Sequence, residues 1–174
     1  KVGRLTSAAT SKTFQHQKIN ITTFQPIQHL QLNTANMTSE TTITFKAPLA
    51  EVWKGLTDPA IVKQYFFGTN LSSDWKVGSP IKFTGEWEGN TYEDGGIILD
   101  IYAPRFLKYS YWSSMSGTEN KPENYCDITY ELDECCDITT LVITQDSIKN
   151  QEAADHSQSN WTSVFDGLKK IIEK

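Results

Sequence analysis

Between residues 79 and 145 the chain carries five alternating segments in succession, and this run restricts the fold more than any other feature. "SPIKFTGEWEG" sets Ile81, Phe83 and Trp87 against Lys82, Thr84, Glu86 and Glu88. "GGIILDIYA" sets Ile97, Leu99 and Ile101 against Ile98, Asp100 and Tyr102. "RFLKYSYWS" sets Leu107, Tyr109 and Tyr111 against Phe106, Lys108, Ser110 and Trp112. "YCDITYEL" and "ITTLVITQ" follow. The breaks fall at Gly89-Asn90, Ala103-Pro104, Lys121-Pro122 and Asp133 to Asp137. Alternation of this kind marks strands, and short connections join antiparallel neighbours.

A single antiparallel sheet has an apolar face that must be covered. The cover comes from the end of the chain. Trp161, Val164, Phe165, Leu168, Ile171 and Ile172 recur at helical spacing, with Asp166, Lys169, Lys170 and Glu173 on the other side. At the other end, "TTITFKA" (41–47) reads as a strand. "PLAEVWKGLTDPAIVKQYFFG" (48–68) reads as two short helices. The break between them is Asp58-Pro59, since a residue before proline leaves the α region and Pro59 suits the first helical turn. Gly68 is read as the stop. Strand, two helices, a run of strands and one long helix give an α+β class.

With that order in view, four stretches resemble the activator of heat-shock-protein-90 ATPase homologue family, of the START and birch-pollen-allergen-like superfamily. They are "APLAEVWKGLTDPAIVKQYF", "DWKVGSPIKF", "GGIILDIYAPRFLKYSYW" and "NWTSVFDGLKKIIE". The resemblance spans about residues 40 to 174. It implies a helix-grip fold: a curved antiparallel sheet wrapped around the C-terminal helix, with the two short helices closing one end of an apolar cavity. It also raises a co-chaperone role. The stretch before Met37 is short and polar beside the separate N-terminal domain of full-length eukaryotic co-chaperones, which sets an expectation against ATPase stimulation.

The expected activity is therefore binding of a small hydrophobic or amphipathic ligand between sheet and helix, with a heat-shock chaperone as the alternative partner. Pockets of this type are mostly apolar and aromatic with a few placed polar groups. Phe66, Phe83, Trp87, Tyr109, Trp112, Phe165 and Leu168 are the candidate lining, and Trp53 is assigned to the core. Asp100 and Tyr111 are the candidate polar groups, Asp100 because it lies between Ile98 and Tyr102 on an otherwise apolar face. An enzymatic role would need one of Asp100, Tyr109 or Tyr111 inside the cavity with a shifted pKa. Glu93-Asp94, ahead of Gly95-Gly96, reads as a turn. No catalytic residue is named, and no cofactor motif or metal-ligand spacing is found.

Composition narrows the remaining classes. The net charge of −5 argues against a nucleic-acid partner, which calls for a basic patch. The three cysteines, Cys126, Cys135 and Cys136, are odd in number and two are adjacent. They read as free thiols in a reducing compartment, so the expected location is cytoplasmic. No apolar run is long enough for a membrane span. Residues 1–38 are expected to be a flexible polar extension and 39–174 the single folded domain. The first 36 residues hold Lys1, Arg4, Lys12 and Lys18 and no acid at all.

Overall fold

The computed structural model describes residues 37–173. The expectations for the segment before Met37 lie outside the described residues. Strand β1 (Met37–Phe45) turns Ser39, Thr41, Ile43 and Phe45 inward, as period-two alternation requires. Helices α1 (Leu49–Thr57) and α2 (Pro59–Tyr65) follow. Asp58 serves both: it ends α1 in an extended conformation, and its Oδ1 accepts the Ala60 N–H at 2.8 Å as the cap of α2. Helix α2 stops at Tyr65, and Phe67 and Gly68, both at positive φ, reverse the chain.

Six more strands follow: β2 (Asn70–Ser73), β3 (Pro80–Trp87), β4 (Asn90–Tyr102), β5 (Phe106–Tyr111), β6 (Cys126–Cys135) and β7 (Ile138–Ile148). With β1 they form one antiparallel sheet in the order β1-β7-β6-β5-β4-β3-β2. The β3–β4 hairpin turns at Glu88-Gly89 and the β6–β7 hairpin at Cys136-Asp137. All four residues have positive φ, the two-residue turn that matches strand twist. Helix α3 (Gln151–Ile172) then crosses the inner face, capped by Asn150 Oδ1, which accepts the Ala153 N–H at 2.8 Å. The fold is α+β with the helix-grip arrangement, as the order of elements requires.

The core lies between the C-terminal half of α3, the two short helices and the sheet. Phe45, Val52, Ile98, Leu107, Leu141, Ile143, Phe165 and Leu168 are fully buried there. Gly55 lets α1 approach α3: a methyl group at that position would stand 2.7 Å from Leu168 Cδ1. Trp53 packs at the edge of this core.

Two local features depart from the alternation. In β4 the register shifts between Ile98 and Asp100. The extra residue of a bulge changes the phase, so Ile101 packs against the core and Asp100 points to solvent. Gly95 and Gly96 are not a turn but sit within β4. A Cβ at Gly95 would come 2.1 Å from the Ile81 carbonyl oxygen, and one at Gly96 would come 2.0 Å from that of Ser110. Close approach of three strands is what requires glycine there.

Candidate functional site

Helix α3 does two different things along its length. Its C-terminal half carries Val164, Phe165 and Leu168 and packs into the core. Its N-terminal half presents the short or polar residues Ala153, His156, Ser157 and Asn160, which leave a space above the sheet. The result is a cleft of about 760 Å³, within the size range of small-molecule sites. Trp161 stands at the boundary, stacked on Phe165 with ring centroids 5.8 Å apart.

The floor is aromatic. Phe83 contacts Tyr109 and Tyr111, each at 6.0 Å between centroids, and Phe66 meets Phe83 edge-on at 6.1 Å. The rim is also apolar: Phe67, Trp87 and Met115 line the mouth and are 62%, 47% and 54% exposed. Phe67 and Trp87 make an edge-to-face pair. Large exposed apolar side chains around a concave site commonly mark a contact surface.

The polar groups have defined partners. Asp94 is buried in the wall, opposite Phe83 in the β3–β4 register. It accepts hydrogen bonds from Tyr111 OH (3.0 Å), Ser113 Oγ (3.0 Å), Ser114 N–H (2.8 Å) and Ser114 Oγ (2.9 Å). Its oxygens are thereby committed to holding the segment after β5. Burial first, and then the Asp94 carboxylate, push the Tyr111 hydroxyl far above its ordinary value. Tyr109 is raised too, by burial and by its neighbour Tyr130, whose hydroxyl lies 3.2 Å away. Neither phenol can serve as a base at neutral pH. On the helix side, Gln145 Oε1 accepts from Ser157 Oγ at 2.9 Å and Trp161 Nε1 at 3.4 Å. Tyr92 OH and Thr69 Oγ1 are 2.7 Å apart. Lys149 and His156 stand exposed at the outer end.

Of the residues expected to line the cavity, the structure brings Phe66, Phe83, Trp87, Tyr109 and Tyr111 together around the cleft. Phe165 lies beneath it, lining only a small inner void with Tyr65 and Tyr130. Leu168 is core, buried against Gly55. Trp112 falls on the other side of the strand from Tyr111 and donates from Nε1 to Thr118 Oγ1 at 3.1 Å. Asp100 is exposed and accepts from the Ile101 N–H. Asp94 and Gln145 are polar wall residues outside the expected lining. Alternation could have found Gln145, since it extends the inward row of Thr139, Leu141 and Ile143.

Among the described residues, no group of three or more His, Cys, Asp or Glu side chains could hold a metal ion. No described helix is long and apolar enough to cross a membrane. Cys126, Cys135 and Cys136 are free thiols.

Fold and cleft together define a helix-grip domain of the START superfamily. The family model described as Activator of Hsp90 ATPase homolog 1-like protein matches residues 46–173, and the chain belongs to that family. Among solved structures, the solution structure of ChR145 from Cytophaga hutchinsonii is similar, with 38% identity and a TM-score of 0.69 over 78% of this chain and 92% of that one. DynU16, a protein in the dynemicin biosynthetic locus, has 18% identity and a TM-score of 0.63 over 76% of this chain and 46% of that one. The Aha1 dimer from Colwellia psychrerythraea has 18% identity and a TM-score of 0.61 over 79% and 96%. The last two show likeness of fold alone. No curated protein matches.

Proposed function

We propose that the domain binds a small apolar or amphipathic molecule, such as a lipid or an aromatic metabolite, in the cleft between the sheet and the N-terminal half of α3. The carrying observation is the polar, short-side-chain face of α3 above an aromatic floor. A helix serving only to complete a core would fill that space with large apolar residues, as its own C-terminal half does. Phe66, Phe83, Trp87, Tyr109 and Tyr111 are the proposed contact residues. The three free thiols suit a reducing compartment such as the cytoplasm.

Native mass spectrometry of the purified protein, followed by extraction of anything carried along, tests the reading. A small molecule at near one-to-one ratio, lost in Trp87→Ala, is the expected result. Trp87 is the suitable position because it is half exposed at the rim, so its truncation changes the mouth with little effect on the core. An empty protein that also ignores a panel of fatty acids and aromatic ligands at millimolar concentration would remove the proposal.

A second reading, activation of a heat-shock chaperone ATPase and a part in stress response, takes its support from the family's name and from the exposed rim of Phe67, Trp87 and Met115. It predicts a faster chaperone turnover with excess protein, abolished by Phe67→Ser. Catalysis inside the cleft has less support, because the buried acid, Asp94, is bound by four donors.

A further inference from the structure

The inward row of β7 is buried along most of the strand. Thr139, Leu141 and Ile143 are buried in turn, and Gln145 takes the next inward place. Cross-strand register sets it in a row with Ser39, Ile128, Tyr109 and Ile98. A primary amide in that row, at the base of an aromatic cleft, needs a reason.

Its orientation is settled by chemistry. The Trp161 indole nitrogen can only donate, so the Gln145 atom facing it is the oxygen. Ser157 Oγ donates to the same oxygen at 2.9 Å. The –NH₂ group is therefore turned to the other side. There its one partner among the described residues is Cys126 Sγ, at 3.8 Å, a long contact to a weak acceptor. Burial raises that thiol to about 11 and keeps it neutral, so it draws little on the amide. Two donors thus hold the oxygen of Gln145, a residue of the cleft wall, while its –NH₂ has only the long contact to Cys126.

We infer that Gln145 is a recognition residue whose amide donates to a neutral oxygen acceptor on the bound molecule. The inference rests on the ligand-binding reading and narrows it to uncharged, ring-bearing compounds carrying a carbonyl: ketones, esters, amides or quinones. The rings would lie on Phe83, Tyr109 and Tyr111, with the carbonyl oxygen directed at Gln145 Nε2. A carboxylate suits the cleft poorly. The buried charge among the lining residues is Asp94, and the cationic Lys149 and the imidazole of His156 are exposed at the outer end. If Gln145 served only to tie α3 to the sheet, its oxygen would suffice and no donor would be needed.

That contrast defines the experiment. Dissociation constants for 2-acetylnaphthalene, 2-ethylnaphthalene and 2-naphthoate are measured by NMR titration on the whole protein. The ketone should bind about two- to tenfold more tightly than the ethyl compound of similar size, the range expected of one neutral hydrogen bond. It should move the Gln145 side-chain amide resonances downfield. Gln145→Glu keeps the oxygen that Ser157 and Trp161 hold and exchanges the donor for an acceptor, so the ketone's advantage should vanish while the ethyl compound binds as before. Gln145→Leu should also abolish it, which covers the case in which one variant folds poorly. Equal binding of ketone and ethyl compound in the unaltered protein, an advantage that survives in Gln145→Glu, or preference for the naphthoate overturns the inference and leaves the ligand reading in place. Failure of all three compounds to bind at millimolar concentration removes the ligand reading and the inference together.

Discussion

Replacing Gly55 by alanine should change sign in its effect on stability according to what stands at position 168. Gly55 lies inside α1 with a helical backbone, so alanine there gains about 1 kcal/mol from helix propensity alone. In the unaltered protein the new methyl would stand 2.7 Å and 3.0 Å from the two terminal carbons of Leu168. Leu168 is fully buried and cannot turn aside into solvent. Forcing a methyl into a packed core costs about 1–3 kcal/mol, which cancels or outweighs the propensity gain. Leu168→Ala alone should cost about 3–5 kcal/mol, because α1 and the sheet hold the space open. At about 4 °C per kcal/mol that lowers Tm by about 12–20 °C. In the Leu168→Ala background the methyl at position 55 enters the vacated space, and Gly55→Ala should then stabilise by 1 kcal/mol or more. Urea unfolding of the four proteins measures the coupling, expected at about 1–3 kcal/mol. Additivity within about 0.5 kcal/mol would refute the packing described for α1 and α3.

Asp94→Asn turns an amide –NH₂ toward hydroxyl and N–H donors, and should cost about 2 kcal/mol with faster hydrogen exchange from Ser114 to Thr118. Tyr109 and Tyr130 ionise with more difficulty folded than unfolded, because burial raises both. Their contribution is complete below the unfolded value of about 10 and is lost as pH rises past it. The urea midpoint should therefore fall steeply above pH 10, with a shallower slope in Tyr130→Phe. Burial lifts Cys126 to about 11, so iodoacetamide at pH 8 should label the exposed Cys135 and Cys136 and spare Cys126, as peptide mapping would show.

Element types were legible in the sequence because periodicity and proline chemistry act locally. The Asp58-Pro59 break and the stripe of α3 follow from spacing; β5 is legible as a strand, but aromatics on both of its faces leave its inward row undecided, and the expected lining draws Tyr109 from one row and Trp112 from the other. Features that depend on a neighbouring chain segment were not. Strict alternation puts Asp100 on the face of Ile98, but a bulge at Ile98–Asp100 shifts the phase of β4, and nothing in "GGIILDIYA" marks it. Asp94 was hidden because Asp-Gly-Gly is ordinary turn chemistry, whereas the glycines here answer to the Ile81 and Ser110 carbonyls. Strand β2, four residues of NLSS, carries too little pattern to be seen. Leu168 and Trp161 share a helical stripe, and spacing alone does not tell which part of a stripe is packed and which borders a cavity. Gln145 was legible in principle, as a polar residue in phase with buried ones.

The division of α3 at Trp161 has a consequence for how such a domain can change over time. Folding depends on positions 164, 165 and 168, while the chemistry offered to a guest depends on 153, 156, 157 and 160, which begin about one turn away along the same rod. Of the second set only Ser157 is buried, bonded to Gln145, so the other three positions are free of the packing around the first. A lineage can therefore revise its preferred guest in single steps without passing through an unstable intermediate, and a library randomised at 153, 156 and 160 should stay folded while its selectivity spreads.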